Sequence, residues 1–155
     1  MKFYNIYETK IGKILIVEEE NKISQINILK EKEYIDGKRK ETDLIKDAFR
    51  QLKEYLEGTR KIFDLPLQIQ GTPFQIKVWE ALRTIPYGET RSYEEISKQI
   101  GKEKAARAVG NANHNNKILI VIPCHRVIGK NKKLVGFGAG LDVKEKLLEI
   151  EKNNK

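Results

Sequence analysis

Cys124 is the single cysteine in a chain of 155 residues, and it stands in Ile122-Pro123-Cys124-His125-Arg126-Val127-Ile128 at the end of an apolar run. One thiol cannot close an internal disulfide or build a cysteine-rich metal site. Its reactive form is the thiolate, and an adjacent imidazole or positive charge raises the thiolate fraction. A lone cysteine also reads as a small buried hydrophobe. The neighbouring histidine and arginine shift the reading toward a nucleophile. The Cys-His dipeptide does not by itself bring the imidazole to the sulfur. A carboxylate such as Glu151 could hold the ring in its useful tautomer, although on sequence alone Glu151 reads as a surface residue of the last helix.

A second constellation lies just upstream. Ser92 can cap a short helix through Gln99, with Glu95 placed to complete a capping box. Gly101 breaks it, and Lys102 through Asn111 reads as another helix, giving a helix-turn-helix pattern. That second helix sets Ala105, Ala106, Ala108 and Gly110 around Arg107. Small residues suit tight helix packing. They equally suit a helix pressed into a DNA groove, with Arg107 as a wedge entering the base stack. Net charge is +8, which favours a polyanionic partner. His114, after the helix, reads as solvent-facing.

These residues need a scaffold, and the pattern predicts an α+β protein of two small domains, 1–66 and 67–155. Residues 3–7, 14–17 and 23–28 read as a three-stranded antiparallel meander, with Glu18 to Glu20 as a solvated turn. Asp36-Gly37 marks a turn. From Thr42 to Glu57, Leu44, Ile45, Ala48, Phe49, Leu52, Tyr55 and Leu56 share one helical face, with Thr42 as cap and Gly58 as stop. Residues 59–71 read as extended. Thr72-Pro73 opens a helix that Ile85-Pro86-Tyr87-Gly88 ends. The apolar run before Cys124 reads as a strand, and Asp142 reads as the cap of a last helix with Glu145 at the capping-box position. No apolar run is long enough to span a bilayer, and the start carries no signal core. The expected place is cytoplasmic, where a thiol stays reduced.

Five segments then occur in order: Gly71-Thr72-Pro73-Phe74-Gln75; Val78-Trp79 with Ala81-Leu82; Ile85-Pro86-Tyr87-Gly88-Glu89-Thr90 with Ser92-Tyr93; Ala105-Ala106-Arg107-Ala108-Val109-Gly110; and Ile122 to Ile128. Together they resemble the O6-alkylguanine-DNA alkyltransferases, the methylated-DNA–protein-cysteine methyltransferases. The match covers residues 71–151. The first half resembles the family in layout, as its ribonuclease-H-like sheet-and-helix domain ahead of a mostly helical active-site domain.

The resemblance implies DNA repair by base flipping. An alkyl group passes from O6 of guanine in double-stranded DNA to Cys124, irreversibly, in a single turnover by a monomer without cofactor. It makes His125 the base acting through a water and Glu151 the carboxylate orienting it. It makes Tyr93 the residue that rotates the phosphate and donates toward the guanine, and Arg107 the finger that fills the vacated stack. Ala105, Ala106, Ala108, Gly110 and Arg126 join Arg107 on the DNA, and Asn116 is the hinge to the active-site strand. The carbonyls of Cys124 and Val127 accept from the guanine amino group, and the Gly138 N–H faces O6. Residues 1–66 hold no Cys and no His, so the zinc site of some relatives is not expected, and no metal is. Two rivals are a helix-turn-helix module that recognises alkylated bases without reacting, and a Cys-His hydrolase that turns over. The cysteine itself speaks against the first.

Overall fold

Period-two alternation ahead of Leu29 builds three long strands in this computed structural model, which describes residues 1–30, 33–129 and 140–155. Strands β1 (Lys2–Thr9), β2 (Gly12–Glu19) and β3 (Lys22–Ile28) pair antiparallel, with Tyr4 opposite Val17 and Ile16 opposite Ile26. Glu20 and Asn21 both have positive φ, 50° and 63°, the backbone that a two-residue hairpin needs to match strand twist. A short β4 (Lys38–Arg39), not foreseen, adds parallel to the free edge of β1, giving the order β3-β2-β1-β4.

Helix α1 (Asp43–Leu56) lays Ile45, Ala48, Leu52, Tyr55 and Leu56 into a core with Ile14, Ile16, Ile23 and Ile26, all buried. Each such aliphatic side chain contributes roughly 1.5–3 kcal/mol by leaving water. Thr42 caps the helix as expected, its Oγ1 accepting from Ile45 N at 3.1 Å. The same hydroxyl donates to Glu18 at 2.6 Å. Glu18 is therefore buried rather than solvated: it belongs to β2 and its carboxylate ties sheet to helix start.

The chain divides into two compact units, Met1–Ile69 and Gln70–Lys155. The division falls past the expected 66/67 boundary because residues 66–68 clamp β3: Ile23 N donates to Pro66 O and Gln68 N donates to Ile23 O, both at 2.8 Å.

In the second unit, α2 (Pro73–Leu82) starts at a capping box in which Thr72 and Gln75 bond each other's backbone N–H. A side chain at Gly71 would press its Cβ to 2.6 Å from the Trp79 ring, so the chain must enter α2 on a glycine. Helix α3 (Tyr93–Gln99) has the Ser92–Glu95 capping box read from sequence. Helix α4 runs Ala106–His114, not Lys102–Asn111. Ser97 delays it: Ser97 Oγ bonds both Lys102 O and Ala105 N, folding residues 102–105 into a turn. Trp79 Nε1 locks α4 to α2 through Ala112 O at 2.9 Å.

The apolar run before Cys124 is not a strand. Asn116 pins it into a loop, its Nδ2 donating to Ile122 O at 2.8 Å and its Oδ1 accepting from Ile118 N at 3.0 Å. Ile120 takes φ +73° within that loop. Cys124 then opens a single 3₁₀ turn, Cys124–Arg126, which runs into β6 (Val127–Ile128); β6 pairs in parallel with β5 (Arg91–Ser92), the short strand just ahead of α3. Helix α5 (Leu141–Asn153) begins at Gly140, φ +105°, without a side-chain cap. Asp142 sits inside its first turn, where negative charge faces the helix dipole favourably, rather than capping it.

Candidate active site

Cys124 and His125 sit on the 3₁₀ turn, 2 % and 0 % exposed. The turn is held on three sides. Asn116 fixes the loop leading in. β6 leads out and pairs with β5, which brings Tyr93, the first residue of α3, into the neighbourhood. Helix α5 closes the third side with Glu151.

Glu151 is 1 % exposed, and the surface position expected from sequence is wrong. Its carboxylate receives four hydrogen bonds. Oε2 faces His125 Nε2 at 2.6 Å and Arg126 Nη2 at 3.1 Å; Oε1 accepts from Arg126 Nε at 2.8 Å and Gly88 N at 2.9 Å. Burial works to raise the Glu151 carboxyl, but the bonds from His125 and Arg126 outweigh it and hold it at about 2. An ionised carboxylate can only accept, so the imidazole proton is on Nε2 and the lone pair on Nδ1. Burial lowers the His125 pKa against the pull of Glu151, so the ring rests neutral, as a base should.

Burial pushes the Cys124 thiol up to about 11, opposed by the Asn116 side chain and by the charge of Lys144. The resting sulfur is a protonated thiol that needs a base. Lys144 escaped the sequence reading: it lies on α5, fully buried, its Nζ donating to Val127 O at 2.6 Å, and burial drops its pKa to about 8. A lysine in an amphipathic helix reads as solvent-facing, so nothing local betrays it.

Arg126, expected on DNA, is turned inward. Besides Glu151 it donates from Nη1 to Ile85 O at 2.7 Å, and it is 7 % exposed. Its guanidinium braces the site and does not project to a phosphate. Arg107 and Ala108 are exposed on α4, Ala105, Ala106 and Gly110 are half-buried, and Val109, Ala112 and Asn113 face in. Of these small residues, Ala108 shares the open side of α4 with Arg107. Gly110 lies beside the Tyr93 ring, a Cβ there coming 3.7 Å from it. Burial raises the Tyr93 phenol pKa, Cys124 adds to the rise, and Asn113 opposes it. His114 is exposed. Gly138 lies outside the described residues. The positive excess of the chain is carried almost wholly by residues 70–155.

The pattern matches two family models: "6-O-methylguanine DNA methyltransferase, ribonuclease-like domain" over residues 2–69 and "6-O-methylguanine DNA methyltransferase, DNA binding domain" over 73–153. A methylated-DNA–protein-cysteine methyltransferase of Methanosarcina acetivorans is 49% identical over 96% of this chain and 97% of its own. A constitutive one of Bacillus subtilis is 47% identical over 98% and 96%. Among solved structures, the O6-methylguanine methyltransferase of Mycobacterium tuberculosis in complex with DNA is 42% identical, with TM-score 0.92 over 98% of this chain and 94% of that one.

Proposed function

The chain belongs to the 6-O-methylguanine DNA methyltransferase family, and from that premise we propose that it repairs duplex DNA by taking the alkyl group from O6 of guanine onto its own Cys124. The observation that carries the residue assignment is the buried His125–Glu151 pair, 2.6 Å apart, in the residue next to the only thiol.

The chemistry follows from the charges. A base stacked in a duplex is out of reach, so it must be extruded into the site. Arg107, exposed on α4 among small residues, enters the gap. The His125 lone pair removes the thiol proton by way of a water, and the ionised Glu151 stabilises the imidazolium that forms. The thiolate attacks the alkyl carbon in line with O6. The S–C bond forms as the C–O6 bond breaks, and the electron pair stays on guanine. The proton taken from the thiol ends on the departing base, toward which Tyr93 donates. A thioether has no route back to a thiol here, so each chain acts once. No helix among the described residues is long and apolar enough to cross a membrane. We place the protein in the cytoplasm, acting as a monomer without cofactor.

Incubation with a duplex carrying O6-methylguanine, followed by intact-mass measurement and peptide mapping, tests the reading. The expected result is one methyl per chain, on Cys124, and none on Cys124→Ser, which still binds DNA because binding rests on phosphate contacts and α4. Demethylated DNA beyond one equivalent would identify a hydrolase. Binding without a methylated chain would identify a recognition module.

A further inference from the structure

The turn beyond α2 makes contacts that stopping a helix does not call for. Helix α2 ends at Leu82, and the chain closes a separate turn over residues 86–89, with Glu89 N donating to Pro86 O at 3.1 Å. Of its two central residues only Gly88 has positive φ, +79°, which is what a type II turn requires. Types I and II differ by a flip of the peptide between the central residues. Here that peptide joins Tyr87 to Gly88, so the turn type decides which way the Gly88 N–H points. It points at Glu151, donating to Oε1 at 2.9 Å.

The other three donors described above at the Glu151 carboxylate are side-chain groups, two from Arg126 and one from His125. A guanidinium and an imidazole can turn with the carboxylate. A backbone N–H held in a turn cannot, so it fixes where Oε1 sits and thereby which way Oε2 faces. The same turn region receives Arg126: its Nη1 donates to Ile85 O at 2.7 Å, and its guanidinium lies 5.7 Å from the centre of the Tyr87 ring. Residues 85–88 therefore hold both partners of the Arg126–Glu151 pair.

We propose that Gly88 is a positioning residue for the reaction: the type II turn aims its N–H at Glu151 and keeps that carboxylate facing His125. The inference rests on the function proposed above and adds what holds the base in line. A Cβ at position 88 would come 3.0 Å from the side chain of Lys155, an exposed lysine stem that can move aside. Backbone conformation, rather than crowding, reserves the position for glycine. Asparagine enters the positive-φ region readily, and a β-branched residue does not. A valine there favours the type I peptide, which turns Tyr87 O toward the carboxylate in place of the N–H.

The test follows single-turnover methyl transfer from an O6-methylguanine duplex between about pH 7 and about pH 9.5. The base matters while the thiol is protonated, and the thiol ionises unaided only toward about 11. Glu151, Arg126 and Lys144 act on His125, and Tyr87 faces Glu151. The position-88 variants keep all four, so the ratio of variant to wild-type rate isolates the turn. Gly88→Val should be about tenfold slower, or more, near neutral pH, and the deficit should shrink as pH rises. Gly88→Asn, with a Cβ in the same place but the turn retained, should stay within about twofold of wild type. In a Glu151→Gln background, Gly88→Val should cost less than about twofold further. A merely structural loss gives the same deficit at every pH and in both backgrounds, and that result overturns the proposal. So does a Gly88→Val protein with the wild-type rate. If Gly88→Val does not fold, the milder Gly88→Ala decides: a smaller deficit that closes with pH sustains the proposal, and a flat one or none overturns it. Normal methyl transfer by the wild-type protein with a pH-independent deficit in the variants sinks this inference alone; no methyl on wild-type Cys124 sinks the proposed function as well.

Discussion

Arg126 grips Glu151 through two near-parallel hydrogen bonds, Nε to Oε1 at 2.8 Å and Nη2 to Oε2 at 3.1 Å. The fork-on-fork geometry fixes the carboxylate in plane and in charge, and it leaves one edge of Oε2 for His125. The arginine acts on the reaction through the carboxylate, which acts through the imidazole.

Arg126→Ala should therefore be read as a stability variant. It leaves Glu151 buried without its cation, a loss of about 3–5 kcal/mol. The slope of log binding constant against log salt, which counts phosphates neutralised, should stay at the wild-type value. A slope reduced by about one unit, with the melting temperature unchanged, would return Arg126 to the DNA interface.

Acid should unfold the protein through Glu151. Its carboxyl is held at about 2 against an ordinary 4.5, so the native state binds fewer protons than the unfolded one between those values. The stabilisation is complete above pH 4.5 and is lost as pH falls toward 2, on the order of 3 kcal/mol in all. Glu151→Gln should be less stable at neutral pH and lose less on acidification. Urea melts of both proteins across that range measure the difference.

Arg107→Ala should slow repair in duplex DNA far more than reaction with free O6-benzylguanine. Filling the stack matters only when a base has left it, and unstacking costs a few kcal/mol. The residue is exposed on α4, so stability should change by no more than about 0.5 kcal/mol. Equal loss on both substrates would make Arg107 a residue of the reaction pocket instead.

Alkylation of Cys124 should destabilise the fold. The sulfur is enclosed, and overpacking a close-packed site typically costs about 1–3 kcal/mol. The strain falls on two bonds that tie the active-site segment to α4 and its end, Asn113 to Cys124 O and Asn116 to Ile122 O. Thermal melts should fall from the free to the methylated to the benzylated protein. A flat or rising series would show a site with room to spare.

Much of the scaffold was legible because it rests on local chemistry. Thr42, Thr72 and Ser92 announce three helix starts through side chains that reach backbone three residues on. The hairpins follow from alternation and polar turns. The cysteine and histidine declared themselves by adjacency. What stayed hidden depends on partners far along the chain. Glu151 and Lys144 look like solvent residues of an amphipathic helix until α5 is laid on the 3₁₀ turn. The run 118–122 satisfies a strand's composition, yet Asn116 supplies in its side chain the donor and acceptor a neighbouring strand would have given. Asn113 lies past the end of the helix that the sequence predicts over 102–111, because α4 runs on to His114.

The burial that makes Cys124 slow to ionise also preserves it. A thiol pushed up to about 11 and almost closed to solvent offers little to peroxide, alkylating drugs or passing disulfides, all of which want an accessible thiolate. A protein that acts once has to reach its target with its warhead intact. Its shelf life in an oxidising or electrophile-rich cell is set by the same enclosure that reserves the sulfur for a base delivered into the site.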